Sequence, residues 1–374
     1  MLFCVVKKAN RPNQAALVMP ARAIGLSEHH PPSTAKPSSD LKRADVPTIV
    51  SLFSGAGGLD LGFREAGFSI AIAFDSSDAA IRSHARNFPE TAGVLADLAK
   101  LKADGVAARV ANTVAAGERI GVIGGPPCQG FSRANTESTS DDPRNELPTL
   151  YVDIVRRLQA SYLVEFFVFE NVLGIRDKKH AARYRDLVDG LAGLGFDITE
   201  KELCALDFGV PQNRRRIVLS GLRQGQGYTK VQPIKRAGLR TVREAIGGLK
   251  PPVFFRRDLN PAEIPVHPNH WTMQPRSPRF TSPLAPSSDA RSFKKLIWNE
   301  PSPTIAFGHR EIHVHPNGRR RLSIHEAMRL QGFPSAFVLE GNLSEQVEQI
   351  SNAVPPPLAR RLALAVRRAL GQPK

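Results

Sequence analysis

Six short runs of nearly unbroken apolar residues recur between Val46 and Leu222: TIVSLF, SIAIAF, AGVLAD, RIGVIGG, LVEFFVFEN and RRRIVLSGL. A strand with one wet face alternates polar and apolar residues; these runs do not, so both of their faces must be covered. Helical patterns separate them, over Gly58–Gly67 and Asp78–Asn87 for instance. Strands alternating with helices predict an α/β fold: a doubly wound, mostly parallel sheet with helices on both sides.

The alternation stops after Leu222. From Gly225 to Pro303 prolines are dense, with PVFFRRD, HPNHWTM and RSFKKLIW as aromatic islands. Helical order returns in LSIHEAMRLQGF and in PLARRLALAVRRAL. The latter places Leu358, Leu362, Val366 and Leu370 on one face and Arg360, Arg361, Arg367 and Arg368 on the other. The predicted organisation is a disordered tail over 1–45, a doubly wound domain over 46–222, a smaller irregular domain over 223–325, and a segment over 326–374 that returns to the first domain. The tail is poor in aromatics and contains EHHPPSTAKPSSD.

Charge divides the same way. The 374 residues carry a net +16. The stretch from Gln212 to His325 holds 21 Lys and Arg against 6 Asp and Glu. A solvated basic surface is the bland reading, but concentration in one segment points to a polyanion, most commonly nucleic acid. The three cysteines have no paired spacing, so a reducing cytoplasm is expected. No apolar run reaches the ~18 residues of a membrane span, and MLFCVVKKANRPNQ does not have the layout of a signal peptide.

Between the first strand and the first helix lies SLFSGAGGLDLGF. Gly55, Gly57 and Gly58 allow a sharp turn and a close backbone approach to a ligand. Asp75 ends the second strand and Asp97 the third, where carboxylates can meet a ribose and an adenine amino group. The pattern is FxGxGG, not the dinucleotide fingerprint GxGxxG, so a nucleoside without a pyrophosphate fits better. S-adenosylmethionine is one such ligand.

GGPPCQG follows the fourth strand. A free thiol is mostly protonated at neutral pH, so a nucleophilic cysteine needs help from its setting. Two prolines hold Cys128 in one geometry at a strand end. Glu170, in FVFENV, ends a wholly apolar strand, and desolvation there would raise its pKa and suit it to share a proton. In QNRRRI, strand alternation sends Arg214 and Arg216 to one face and Arg215 to the other.

With these motifs in order, and with RLSIHEAMRLQGFP and QISNAVPPPLA behind them, the chain resembles the DNA (cytosine-5) methyltransferases of the bacterial modification type over nearly its full length. The resemblance implies that Cys128 is the nucleophile, that Glu170 contacts the target base, and that Arg214 and Arg216 sit at the active site. It also implies that S-adenosylmethionine is held by Phe53, Ser54, Gly55, Gly57, Gly58 and Leu59. Asp75, Ser76, Asp97, Leu98, Pro127, Asn352 and Ala353 would complete that pocket. DNA-contacting candidates are Gln129 and Ser132, and, in turns of the basic segment, Arg276, Arg279, His309 and Arg310. In the implied reaction, Cys128 adds to carbon 6 of a cytosine flipped out of duplex DNA, and carbon 5 takes the methyl group.

No metal is expected, since His267, His270, His309, His313 and His315 have no cysteine beside them and no common ligand spacing. A monomeric, cytoplasmic and nucleoid-associated enzyme is expected, with a restriction endonuclease of the same site as a further partner. Two positions depart from the family. Ser351 stands where glycine is usual and would be strained if the site needs a positive φ. Ser76 stands where an aromatic or large apolar residue is common. Methylation of cytosine in tRNA, or DNA binding without catalysis, are the rival readings.

Overall fold

The structure, a computed structural model, describes residues 46–127, 146–236, 238–280, 293–304 and 313–371. The expected N-terminal tail lies outside them. The doubly wound sheet has seven strands in the order β3-β2-β1-β4-β5-β8-β6. Five are parallel: β1 (Thr48–Leu52), β2 (Ile70–Asp75), β3 (Ala92–Leu95), β4 (Arg119–Gly124) and β5 (Leu163–Asn171). Helices α1 (Gly58–Glu65), α2 (Asp78–Asn87), α3 (Leu98–Val110) and α4 (Leu147–Gln159) connect them, and α5 (Ala181–Ala192) follows β5.

The apolar runs are continuous because adjacent residues feed different cores. In β1, Val50 and Leu52 enter one core while Ile49 enters another; in β5, Phe167 and Phe169 part in the same way from Phe166 and Val168. The first core is closed by α3, α4 and α5, the second by α1 and the C-terminal helix α9 (Pro356–Gly371), which runs alongside it. The expected apolar face of α9 is buried through Leu358, Leu362 and Val366, with Leu370 packed at its edge. Two of its arginines bond to backbone: Arg367 Nη1 donates to the Ala66 carbonyl at 3.0 Å and Arg368 Nη2 to that of Gln232 at 3.3 Å. Gly62 permits this packing, since a side chain there would collide with the Ala359–Arg360 backbone.

Two features differ from expectation. β6 (Phe196–Cys204) has no apolar run; it is the edge strand and leaves Thr199–Glu202 exposed or half-exposed. β8 (Arg215–Arg223), the run RRRIVLSGL, pairs antiparallel with both β5 and β6. Only residues 205–214 connect it to β6, including the two-residue β7 (Gln212–Asn213), too few for the crossover a parallel pair requires.

Beyond β8 the strands shrink to two residues each, and α6 (Val242–Ile246), α7 (Ile324–Leu330) and α8 (Leu343–Asn352) build a third core. Val242, Ala245 and Ile246 pack there with Met328, Leu330 and Ile350, and with Ala56 and Leu61 beside the glycine-rich turn. α7 and α8 each start with a reciprocal capping box, Ser323 with Glu326 and Asn342 with Glu345.

Histidines fasten the Pro-rich segment to α7. His267 stacks on His325 at 4.0 Å between ring centres, and its Nε2 donates to the Phe337 carbonyl at 3.0 Å. His270 Nε2 donates to the Lys250 carbonyl at 2.7 Å. Burial pushes His267 down to about 4 and His325 to about 3. An unfolded histidine takes up a proton near pH 6.5, whereas these two resist it when folded. The folded state therefore loses stability as pH falls below about 6.5, down toward the folded values. We expect the melting temperature to drop over this interval, and His325→Phe, which keeps a ring against His267, to shallow the drop. Identical pH profiles for variant and wild type in a thermal melt would contradict this.

Candidate active site and cofactor cavity

The strand ends Phe53, Asp75, Gly125 and Glu170 meet where the sheet order reverses around β1, the place where open α/β sheets bind ligands. A cavity of about 340 Å³ opens there. Phe53, Ser54, Gly55, Gly58 and Leu59 form its wall on the glycine-rich turn, with Asp75 and Ser76 at the end of β2. Pro127, Glu170, Arg214 and Arg216 form the opposite side, and Asn352 and Ala353 close it from the end of α8.

Backbone geometry fixes the turn. Gly57 has φ 93°, and a side chain there would run into the ring of Phe88. Phe53 also sits at positive φ, 54°, which a bulky residue adopts only where its surroundings impose it. Asp75 holds the turn from the far side: its carboxylate accepts from the N–H of Gly55 at 2.8 Å and from that of Ser77 at 2.9 Å. Burial raises the Asp75 pKa, and these hydrogen bonds pull against the rise.

Glu170 is 7 % exposed, and Arg216 Nε lies 2.9 Å from its Oε1. Burial pushes its carboxyl above the usual range, opposed by Arg216 and Arg214. Arg214 is buried, and its Nη2 donates to the Ser351 carbonyl at 2.8 Å, tying the active-site edge of the sheet to α8. Arg215 points away and pairs with Glu202 at 2.9 Å, as strand alternation requires. Asn171, which the motif pattern does not single out, carries structural weight. Its Nδ2 donates to the Pro126 carbonyl at 3.2 Å, binding the strand end that bears Glu170 to the Pro-Pro loop.

Other candidates fall elsewhere. Asp97 is the N-cap of α3, its Oδ1 accepting from the Ala99 N–H, and neither it nor Leu98 is among the residues lining the cavity. Ser351 carries no positive φ; it lies in the last turn of α8, so the expected strain does not arise. Ser76 is exposed and lines the cavity, whose wall takes its aromatic side chain from Phe53 instead. Cys128, Gln129, Ser132, His309 and Arg310 lie outside the described residues, as does the side chain of Arg279. Arg276 lines a second cavity of about 790 Å³, with Phe255, Arg256, Arg257 and Arg321. α8 separates the two cavities: Glu345, Glu348 and Gln349 face the first, and Leu343, Ser344 and Val347 the second. These α8 positions give no signal in the sequence, because no spacing links them to motifs some 200 residues earlier.

Residues 47–368 match the family described as C-5 cytosine-specific DNA methylase. The chain belongs to that family. The Type II methyltransferase M.MthTI of Methanothermobacter thermautotrophicus is 32 % identical over 344 residues, covering 86 % of this chain and 97 % of the relative. M.NgoPII of Neisseria gonorrhoeae is 29 % identical over 350 residues, covering 86 % and 96 %. Among solved structures, a prophage-encoded E. coli chain assigned as a DNA modification methyltransferase superposes with TM-score 0.72 at 26 % identity, covering 87 % of this chain and all of that one. DNMT2 of Spodoptera frugiperda shares the fold at TM-score 0.59 and 18 % identity. The methylase is thus a DNA cytosine-5 methyltransferase, and methyl transfer in this family depends on S-adenosylmethionine. No helix among its described residues is long and apolar enough to cross a membrane.

Proposed function

We propose that this chain methylates carbon 5 of a flipped-out cytosine within a specific duplex sequence, through a covalent bond from Cys128 to carbon 6. The supporting observation is the joint made by Glu170 and Asn171. One lines the cavity while the other holds Pro126, so the strand end that bears Glu170 is bound to the Pro-Pro loop that leads to Cys128 in sequence. Cys128 Sγ adds to carbon 6, and the electron pair moves toward carbon 5. Glu170, whose carboxyl burial pushes above the usual range, holds the proton at ring nitrogen 3. Arg216 flanks the base beside Glu170, while Arg214 fixes that edge to α8. Carbon 5 uses that electron pair to bond the methyl group; its proton then passes to water, and the C–H electrons re-form the ring double bond as Sγ leaves as thiolate.

S-adenosylmethionine, when bound, supplies the electrophilic methyl group. The wall suits it: Asp75 keeps acceptor capacity for ribose hydroxyls, and a Cβ added at Gly55 would meet nothing within 4 Å. Phe53 and Asn352 flank the same space. Asp75→Ala should weaken S-adenosylmethionine by ~1–3 kcal/mol, since it strands the donors that Asp75 satisfies. DNA affinity without cofactor should barely change. Calorimetry showing wild-type cofactor affinity would move the ribose contact elsewhere.

Residues 223–325 would form the target-recognition domain, with Arg256, Arg257, Arg276 and Arg321 around the second cavity gripping phosphates or base edges. A monomer acting in the cytoplasm, paired with an endonuclease of the same specificity, completes this reading. The test is incubation with labelled S-adenosylmethionine and duplex DNA, tRNA or no acceptor, followed by bisulfite sequencing of DNA from a methylation-free host expressing the chain. Label should enter duplex DNA alone, at one recurring sequence. Label in tRNA, or in no acceptor, would refute the proposal.

A further inference from the structure

Beneath the glycine-rich turn lies a polar network that the reaction does not use. Asp60, in the first turn of α1, is fully buried. Ser51 Oγ donates to its Oδ1 at 2.7 Å, and His84 Nε2 lies 2.8 Å from its Oδ2. Ser51 belongs to β1, Asp60 to α1 and His84 to α2, so three elements meet at one carboxylate. Ser51 and Asp60 both form part of the cavity wall. The imidazole of His84 is also stacked on Phe88 at 4.3 Å, and the same two rings press on Gly57 from below. His84 Nδ1 is buried without a hydrogen-bond partner among the described residues. The hydrogen bond of this ring within the network therefore runs through Nε2–H, which donates to Asp60. The preceding residue reaches the other wall of the cavity. Ser83 Oγ donates to Gln349 Oε1 of α8 at 2.5 Å and accepts from the Glu340 N–H at 2.7 Å.

We infer that His84 is a positioning residue for the cofactor. Through Asp60 it sets the glycine-rich turn, and with Ser83 it fixes the distance from that turn to α8. Buried polar groups of this kind must be satisfied together, so losing one donor releases the whole brace. This inference rests on the reading that the cavity holds S-adenosylmethionine.

The test uses the full chain. His84→Phe keeps the ring on Phe88 but removes the Nε2–H; Asp60→Ala removes the acceptor. Both should raise the Kd and KM for S-adenosylmethionine about tenfold, with kcat at saturating cofactor within about threefold of wild type. Asp60→Asn can still accept from His84 and donate to Ser51, so it should rescue the affinity lost in Asp60→Ala. Should the His84 or Asp60 variants fail to fold, the wild-type protein still decides. Its His84 Nε2–H proton resonance should shift when S-adenosylmethionine is added and stay in place when duplex DNA is added alone. A wild-type Kd in His84→Phe, an Asp60→Asn as weak as Asp60→Ala, or a resonance indifferent to cofactor would overturn the inference. Asp75→Ala separates the two readings. If it binds cofactor normally, the cavity assignment fails; if it binds weakly while His84→Phe binds normally, only the brace fails.

Discussion

Cys128→Ser is expected to lose turnover by roughly a thousandfold or more while still binding cofactor and DNA. Serine has the right size and a hydroxyl at the same point of the Pro-Pro loop, but an alkoxide is out of reach at neutral pH and a thiolate is not. Single-turnover methyl transfer on duplex DNA is the direct measurement, and a rate within tenfold of wild type would end the covalent mechanism. An independent check uses wild-type protein and a duplex with 5-fluorocytosine at the target. Fluorine cannot depart as a cation, so a complex stable on a denaturing gel should accumulate when cofactor is present. Absence of that adduct on a duplex otherwise methylated would equally exclude the bond from Cys128 to carbon 6.

Glu170→Gln should lower kcat by ~10²–10⁴, the range for loss of a placed proton donor. Cofactor affinity should stay close to wild type if Glu170 acts on the base, as proposed. The carboxyl of Glu170 is raised by burial and restrained by Arg216 and Arg214, so its proton is kept to higher pH than that of a free glutamate. Wild-type kcat should therefore decline as pH rises through that raised value, and the decline should vanish in the glutamine variant. A variant with wild-type kcat, or one keeping the same alkaline decline, would remove Glu170 from the proton's path. Glu170→Gln also leaves Arg216 without its counter-charge, so a thermal melt should accompany the kinetics.

The sheet is legible in the sequence because its central strands are buried on both faces: Ile49, Val50, Phe166 and Phe167 have no alternative to an interior. β6 is not legible, for the complementary reason. At the edge, FDITEKELC buries little and carries the charges of a surface segment. The direction of β8 cannot be taken from its composition, which is the same for either sense; only the short connection from β6 decides it. The cavity-lining charges that end strands, Asp75 and Glu170, are legible because a charge after an apolar run has few uses. Asp97 carries the same local signature and also caps α3, a role that neighbouring backbone decides and linear spacing does not show. Asn171 lies inside a recognised motif, yet its bond to Pro126 spans two strands and leaves no trace in linear spacing. The Ser51–Asp60–His84 network is hidden for a like reason, since three unremarkable residues become a unit only when β1, α1 and α2 converge.

The third core sets the terms on which this enzyme could change its target. Val242, Ala245 and Ile246 precede the second cavity in sequence, yet they belong to the same packed body as Met328, Leu330 and Ile350, and through Ala56 and Leu61 they touch the cofactor turn itself. A cassette cut at Leu222 and Arg321 would therefore bring in a foreign α6 to face a native α7 and α8, and the mismatch would fall against the cofactor turn. Shorter limits do not escape this. A cut between Leu249 and Leu322 still carries Leu296 of that core, and the contacts of His267 and His270 to His325 and Ser323. Any exchange of the basic segment therefore also exchanges part of the packing behind the cofactor turn, and a new target would have to come with compensating changes there.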